Sequence, residues 1–363
     1  MKSFDRPLLL LTIALVVGGF FIFTSASLGL LAREGARFSS VAFNQIFFGM
    51  LLGTIALLIT ARVRYRLWKP YTLYLFIASV VLTLLVFIPG LGKEVNGATR
   101  WIYFFNFSFQ PAEFLKLGFV LYFAAYLSTA RAHLQEFRSG LLPFIGLLGL
   151  IGTILLLQPD TGTFIVIASA AFGMYIAAGG SFKDVLIICV IGAIALSILV
   201  IQRPYLQDRI ATFFHPEKNI QETGYQLNQS LIAIGSGQFF GRGFGQSVQK
   251  FNYLPEPIGD SIFAVAAEEF GFVGGLTLIV LFLAFAFRGL KIATRAPDYF
   301  GGLLVVGIVI LIISQSFINI GSMLGVFPLT GLPLIFISHG GTALLFALAS
   351  VGIVLNVSKY LKS

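Results

Sequence analysis

The chain has 363 residues, 57% of them hydrophobic and only 11% charged, with a formal net charge of +9 and a mean hydropathy of +0.93. Soluble domains carry about 25% charged residues, so the composition excludes a soluble fold and points to an all-α, polytopic membrane bundle. Cys189 is the single cysteine and lies in an apolar run, which excludes an intramolecular disulfide and any cysteine-based zinc or redox motif. No aromatic-basic module accompanies the positive charge, so nucleic acid is not an expected partner.

Apolar stretches near the roughly twenty residues needed to span a bilayer fall at 8–31, 41–61, 70–90, 112–130, 141–158, 161–180, 184–202, 262–287, 302–325 and 341–358, predicting about ten helices. The first is too long for the core of a signal peptide, about 7–15 residues, and reads as a span. With a cytoplasmic N-terminus, the inside segments carry Lys2, Arg6, Arg62, Arg64, Arg66, Lys69, Arg131, Arg138, Lys183, Arg288, Lys291, Arg295, Lys359 and Lys362, against Arg33, Arg37, Lys93 and Arg100 outside. Positive-inside counting therefore puts both termini in the cytoplasm. No repeat, low-complexity tract or separate soluble domain interrupts the chain, which reads as one membrane domain over 1–363.

Residues 203–260 form a large extracytoplasmic loop between the seventh and eighth spans, far longer than the usual connection of about 4–6 residues. It carries Arg203, Arg209, Lys218, Arg242 and Lys250, and "GYQLNQSLIAIGSGQFFGRGFGQSVQK" predicts short amphipathic helices on the outer membrane surface. "GRGFG" (Gly241 to Gly245) is either a flexible turn with a lone arginine or a cradle of backbone N–H groups that, with Arg242 and Lys250, holds an anionic head group.

Where this loop re-enters the membrane, "YLPEPIGDSIFAVAAEE" places Glu256, Asp260, Glu268 and Glu269 at the mouth of an apolar segment. Carboxylates there lose solvation unless they face water, a partner or a substrate. Asp260 can cap the helix that follows or act as a base; the spacing leaves both open. Of Glu268 and Glu269, about two turns further on, one is expected to face a cavity and the other to pack against a neighbouring helix end.

Earlier in the chain, Glu113 and Lys116 are three apart in "QPAEFLK" and share a helix face. They form either a self-neutralised structural pair or the lining of a polar cavity. Asp160 in "QPDTGT" follows a helix-breaking Pro159 and suits a helix cap. "NIGSMLGVFPLTGLPLIFISHGG" (Asn319 to Gly341) has too many glycines and prolines for a continuous span and predicts a cavity wall or re-entrant turn, with His339 in a hydrogen-bonded structural role. His133 and His215 fall on opposite membrane sides, which argues against a histidine metal site.

"VNGATRW", "QPAEFLKL", "QPDTGT", "GYQLNQSLIAIGSG", "QSVQKFNYLPEPIGDSIFAVAAEE" and "PLTGLPLIFISHGGT" occur in the order, and at the relative positions, of the motifs of the SEDS family (shape, elongation, division and sporulation). The resemblance covers nearly the whole chain, and "SVQK" before "YLPE" with "TSAS" in the first span looks more like the division-type than the elongation-type members. It implies a peptidoglycan glycosyltransferase that polymerises lipid II outside the cytoplasmic membrane of a bacterium, at the septum. The implied partners are a class B penicillin-binding protein and other division-complex membrane proteins. The family's essential aspartate maps onto Asp260, and its charged pair onto Glu113 and Lys116. The chain departs from common family forms at Ala112 (usually Ser), His339 (frequently Tyr) and Ile258-Gly259 (frequently His-Thr), so no direct catalytic role is expected there.

On that reading Asp260 is the general base. Arg242, Lys250 and Arg209 are candidates for the departing diphosphate, with Ser247, Gln249 and Glu256 as further substrate-binding candidates. Glu113, Lys116, Arg100, Asp160, Glu268, Glu269 and His339 line or support the polar interior. A divalent cation, Mg or Mn, is an optional further source of positive charge; no organic cofactor is expected. The rival reading is a transporter that flips lipid II, which would place its decisive acids near the bilayer midplane.

Overall fold

The computed structural model describes residues 4–33, 35–95, 98–104, 107–215 and 223–361. Lys2, Lys218, Lys362 and the Asn96-Gly97 pair of the first motif lie outside the described residues. Helices run in chain order as α1 (Arg6–Arg33), α2 (Gly35–Phe43), α3 (Gly53–Arg62), α4 (Thr72–Leu84), α5 (Pro111–Ala130), α6 (Leu142–Leu157), α7 (Thr161–Ala177) and α8 (Phe182–Gln202). They continue with α9 (Pro204–Phe214), α10 (Thr223–Ser236), α11 (Ile262–Thr294), α12 (Tyr299–Met323) and α13 (Gly341–Ser358). Eight helical stretches among the described residues are long and apolar enough to cross a membrane, and α7 is a shorter apolar helix. The chain is a multi-pass membrane protein.

Local chemistry sets several of these boundaries. Pro111 opens α5 after an extended Gln110, as proline's fixed φ and missing N–H favour. Asp160 caps α7 by accepting from the Thr163 backbone N–H at 3.2 Å and its hydroxyl at 2.9 Å, as its spacing predicts. Asp298 caps α12 through the Gly301 N–H at 2.8 Å.

The connection between the spans expected at 70–90 and 112–130 departs from the all-α expectation. β1 (Gly92–Val95), β2 (Ala98–Phe104) and β3 (Phe107–Phe109) form a three-stranded antiparallel sheet, with Lys93 opposite Trp101 and Ile102 opposite Phe109. Its β-branched and aromatic run suits a pleated surface, and β2 carries Arg100 to the α7 cap.

α12 and α13 form the centre, 67% and 83% buried over their spans, whereas α8 is 11% buried and stands at the periphery. Ionic contacts gather the basic end: Arg288 pairs with Asp5 at 2.6 Å, Arg66 with Asp298 at 2.8 Å, and the Asp5 N–H donates to Ser358 Oγ at 2.9 Å. At the opposite end, the irregular segment 324–340 between α12 and α13 folds back into the bundle, with Leu334, Ile335, Phe336 and Ile337 buried. It reaches α1 so closely that a Cβ on Gly19 would lie 2.3 Å from the Phe336 carbonyl.

Candidate active site

Asp260 lies two residues before α11, and Ser261, without a side-chain cap bond, occupies the cap position. Of the two readings the sequence leaves open, the helix cap therefore falls away. Three successive carbonyls of this segment are clamped by the C-terminal elements: Ile258 by the His339 N–H at 2.7 Å, Gly259 by the Ser338 hydroxyl at 2.6 Å, and Asp260 by the Asn319 amide at 2.7 Å. Asn319 also donates to the Leu332 carbonyl at 2.7 Å, so one amide holds two irregular segments together. The Gln226 amide of α10 donates to Ser261 Oγ at 3.0 Å.

The Asp260 side chain meets the Gln226 amide but is not fully used by this scaffold. Its Oδ1 is shielded and accepts no hydrogen bond. Burial first, and then the neighbouring charge of the exposed Glu256, pushes its carboxyl up to about 6, while the Gln226 amide and the Arg209 guanidinium act the other way. A Cβ at Gly331 would sit 3.9 Å from Asp260 Oδ2 and 4.0 Å from Arg209 Nη2, so α9, the Asp260 turn and the re-entrant segment converge on one small space.

Lys250 and Arg242, expected beside Asp260, are used elsewhere. Lys250 is 1% exposed, and its Nζ donates to Glu269 Oε1 at 2.8 Å, Ser25 Oγ at 2.9 Å and the Gly245 carbonyl at 2.8 Å. This corrects its assignment to the diphosphate, because all three ammonium donors have protein acceptors. Arg242 lies 3.6 Å from Glu268 Oε1 with its side chain 42% exposed. Glu268 also accepts from Ser247 Oγ at 2.6 Å and from the backbone N–H groups of Val248 and Gln249 at 3.1 and 3.3 Å. Ser247 is thus structural, and Gln249 keeps a buried Oε1 that accepts nothing. Both Glu268 and Glu269 are buried against the loop, which corrects the expectation of one cavity-facing acid and one packed on a helix end.

The cradle reading of "GRGFG" is also overturned, for a reason lying in α11. That helix is broken at Gly271, whose φ of +66° suits glycine, and the break releases backbone groups on both sides. The N–H groups of Arg242 and Gly243 satisfy the Glu268 and Glu269 carbonyls at 3.0 and 2.9 Å, while the Phe272 and Val273 N–H groups donate to the Gln238 and Phe239 carbonyls at 2.9 and 3.2 Å. The loop is therefore a strap laid into the gap of a helix, and its Arg242 and Gly243 amides are consumed there.

Glu113 and Lys116 pair at 2.7 Å, and Lys116 donates to Gln315 Oε1 at 2.6 Å. Gln315 in turn donates to the Pro333 carbonyl at 3.0 Å. The pair and a small cavity of about 30 Å³ beside it coexist, so the two alternatives for these residues merge. Arg100 lies 3.9 Å from Asp160 and donates to the Gln158 and Pro159 carbonyls, which makes it a brace for the α7 cap. His339 stacks on Phe23 at 6.2 Å between ring centroids, a structural position. Sequence reading missed Gln226, Gln315 and Asn319; amides inside apolar helices were the available signal. Among the described residues no group of three or more His, Cys, Asp or Glu side chains is placed to hold a metal ion.

A membrane helical bundle with a clamped carboxylate where its longest loop re-enters defines an integral membrane protein with a candidate site at one end. Residues 6–363 match the model of the FtsW/RodA/SpoVE cell cycle protein family, and the chain belongs to that family, the SEDS family. It is 37% identical to the stage V sporulation protein E of Bacillus subtilis, over 97% of this chain and 95% of that protein. It is 39% identical to a probable peptidoglycan glycosyltransferase FtsW of Idiomarina loihiensis, over 98% and 87%. Among solved structures it resembles a chain of a peptidoglycan synthase complex that coordinates polymerization and crosslinking, with a TM-score of 0.80 at 26% identity, covering 99% of this chain and 98% of that one. The rod shape determining protein RodA of Thermus thermophilus matches with a TM-score of 0.69 at 27% identity, over 98% and 97%.

Proposed function

We propose that the chain is a peptidoglycan glycosyltransferase that polymerises lipid II at the outer face of the cytoplasmic membrane, in septal synthesis. The observation that carries the reading is Asp260, whose backbone is held by three clamps while Oδ1 accepts no hydrogen bond. Its carboxylate takes the proton of the acceptor sugar hydroxyl as that oxygen attacks the anomeric carbon of a second lipid-linked sugar. The bond from that carbon to the diphosphate oxygen breaks, and polyprenyl diphosphate departs with the electron pair. Arg209, which shares the Asp260 space, is the cation placed to meet the departing charge. A divalent cation, Mg or Mn, would add positive charge for the departing diphosphate; chelation of the assay mixture tests it.

Both termini lie in the cytoplasm on this reading, so that the loop and Asp260 face outward. A class B penicillin-binding protein docks on the outer helix ends and crosslinks the strands, alongside other division-complex membrane proteins. The family membership and the likeness to a peptidoglycan synthase complex support this partner class. The transporter reading is disfavoured by where the acids sit. Glu113 is in the first turn of α5, Asp160 caps α7 and Asp260 precedes α11, so all three gather at the N-terminal ends of their helices, at one end of the bundle.

The deciding experiment is glycan polymerisation from purified lipid II in liposomes, comparing wild type with Asp260→Asn, each with a transpeptidase-blocked penicillin-binding partner. Strands from wild type and none from a folded, partner-binding Asp260→Asn are expected. Equal product from both removes Asp260 as base; no product from wild type, with movement of labelled lipid II across the bilayer, establishes the transporter.

A further inference from the structure

A second cavity opens at the opposite, basic end of the bundle. Its volume is about 690 Å³, and Ala177, Leu290, Ala293, Gly302, Leu303 and Val306 give it apolar walls between the ends of α7, α11 and α12. Arg131 stands at its rim, with its guanidinium 4.2 Å above the Tyr299 ring centroid. The ring is itself anchored, because the Tyr299 hydroxyl donates to the Ala178 carbonyl at 2.5 Å. The one acid in the lining, Asp298, is already taken by Arg66 at 2.8 Å, the Tyr65 hydroxyl at 2.6 Å and the Gly301 N–H. Arg131 therefore gives the mouth a positive charge that Asp298 does not offset.

The apolar walls continue into the bilayer. Leu283, Phe287, Leu290 and Thr294 recur at helical spacing along one stripe of α11, and Phe287 is 72% exposed. On α12, Tyr299, Gly302 and Val306 form the other wall, and Ile310 beyond them packs against Gly173 of α7. A cavity with a cation at the membrane boundary and two apolar rails leading away from it has the two-part chemistry of a phospholipid. Its charge complements the anionic lipids of the leaflet to which basic ends of membrane proteins face.

We propose that this cavity is a binding site for an anionic phospholipid, its phosphate held by Arg131 and an acyl chain lying between α11 and α12. The site is remote from Asp260 and independent of the reaction proposed there. The test is native mass spectrometry of the full chain in detergent titrated with phosphatidylglycerol or phosphatidylcholine, with soluble glycerol phosphate as a competitor. Wild type is expected to retain phosphatidylglycerol in preference to phosphatidylcholine, without displacement by glycerol phosphate. Arg131→Gln should weaken phosphatidylglycerol about five-fold while leaving phosphatidylcholine unchanged, the effect of one basic group near an anionic surface. Ala177→Phe, at an exposed wall position, should fill the cavity and weaken both lipids. Retention by both variants equal to wild type, no preference between the lipids, or displacement by glycerol phosphate alone overturns the proposal; unfolding temperatures confirm that each variant is folded.

Discussion

The Lys250 ammonium donates to Glu269 Oε1 at 2.8 Å with both side chains sealed from solvent, and Ser25 of α1 donates to the same oxygen at 2.5 Å. Removing one partner of a buried pair leaves an uncompensated charge, a loss of about 3–5 kcal/mol. Lys250→Met is expected to lower the unfolding temperature sharply, and Lys250→Met/Glu269→Leu to recover part of it. A single variant as stable as wild type would show that the pair does not hold the loop.

Desolvation first, and then the charge of Glu256, raises the half-buried Asp260 carboxyl to about 6. If it is the base, kcat/KM should rise about ten-fold per pH unit below about 6 and level above it. Arg209→Gln should move that midpoint up and Glu256→Gln should move it down, since the two charges act on Asp260 in opposite directions. A midpoint that moves with neither assigns the titration to another group.

The same carboxyl makes a stability prediction of unusual sign. The folded state holds the Asp260 proton more tightly than the unfolded chain, whose carboxyl titrates near 3.9, so stability falls as pH rises from about 4 to about 6. Above that window the charged form burdens the fold. Asp260→Asn should therefore be inactive and yet more stable than wild type at pH 7.5, by roughly 1–2 kcal/mol. Thermal unfolding at pH 7.5 checks it; a less stable Asp260→Asn would mean that the aspartate is a structural group.

Gly271 carries the break that the strap fills. With φ at +66° and its missing Cβ position 2.3 Å from the Gly241 nitrogen, Gly271→Ala should lose roughly 1–3 kcal/mol from backbone strain alone and expose the loop to proteolysis. Limited proteolysis between residues 237 and 250 measures this, and wild-type resistance would mean that the strap does not depend on the break.

What the sequence made legible was local. The spans follow from runs of apolar residues, the Asp160 cap from a three-residue spacing, and the Glu113–Lys116 pair from a shared helix face. Lys250 was misplaced because its partners, Glu269 and Ser25, are 19 and 225 positions away. A lysine in a long outer loop looks free until the fold supplies a buried carboxylate. The strap was illegible for a related reason: only the break at Gly271 creates the orphaned carbonyls that the Arg242 and Gly243 amides satisfy. Asp260 itself stood out because acids are rare at the mouth of an apolar segment, but its clamps come from residues 319, 338 and 339, which share no local pattern with it.

The close approach of Gly19 to Phe336 has a consequence for biosynthesis. Each span can enter the bilayer as it leaves the ribosome, but α1 must wait for nearly the whole chain before its partners exist: Glu269, Phe336 and, at the other end, Ser358. Helix insertion and helix association are separate stages in a membrane, and here the second stage needs α13 and the segment before it. The Asp260 clamps, drawn from α12 and the segment before α13, are completed in that final step. A chain that lacks those segments would carry Asp260 without the three contacts that position it.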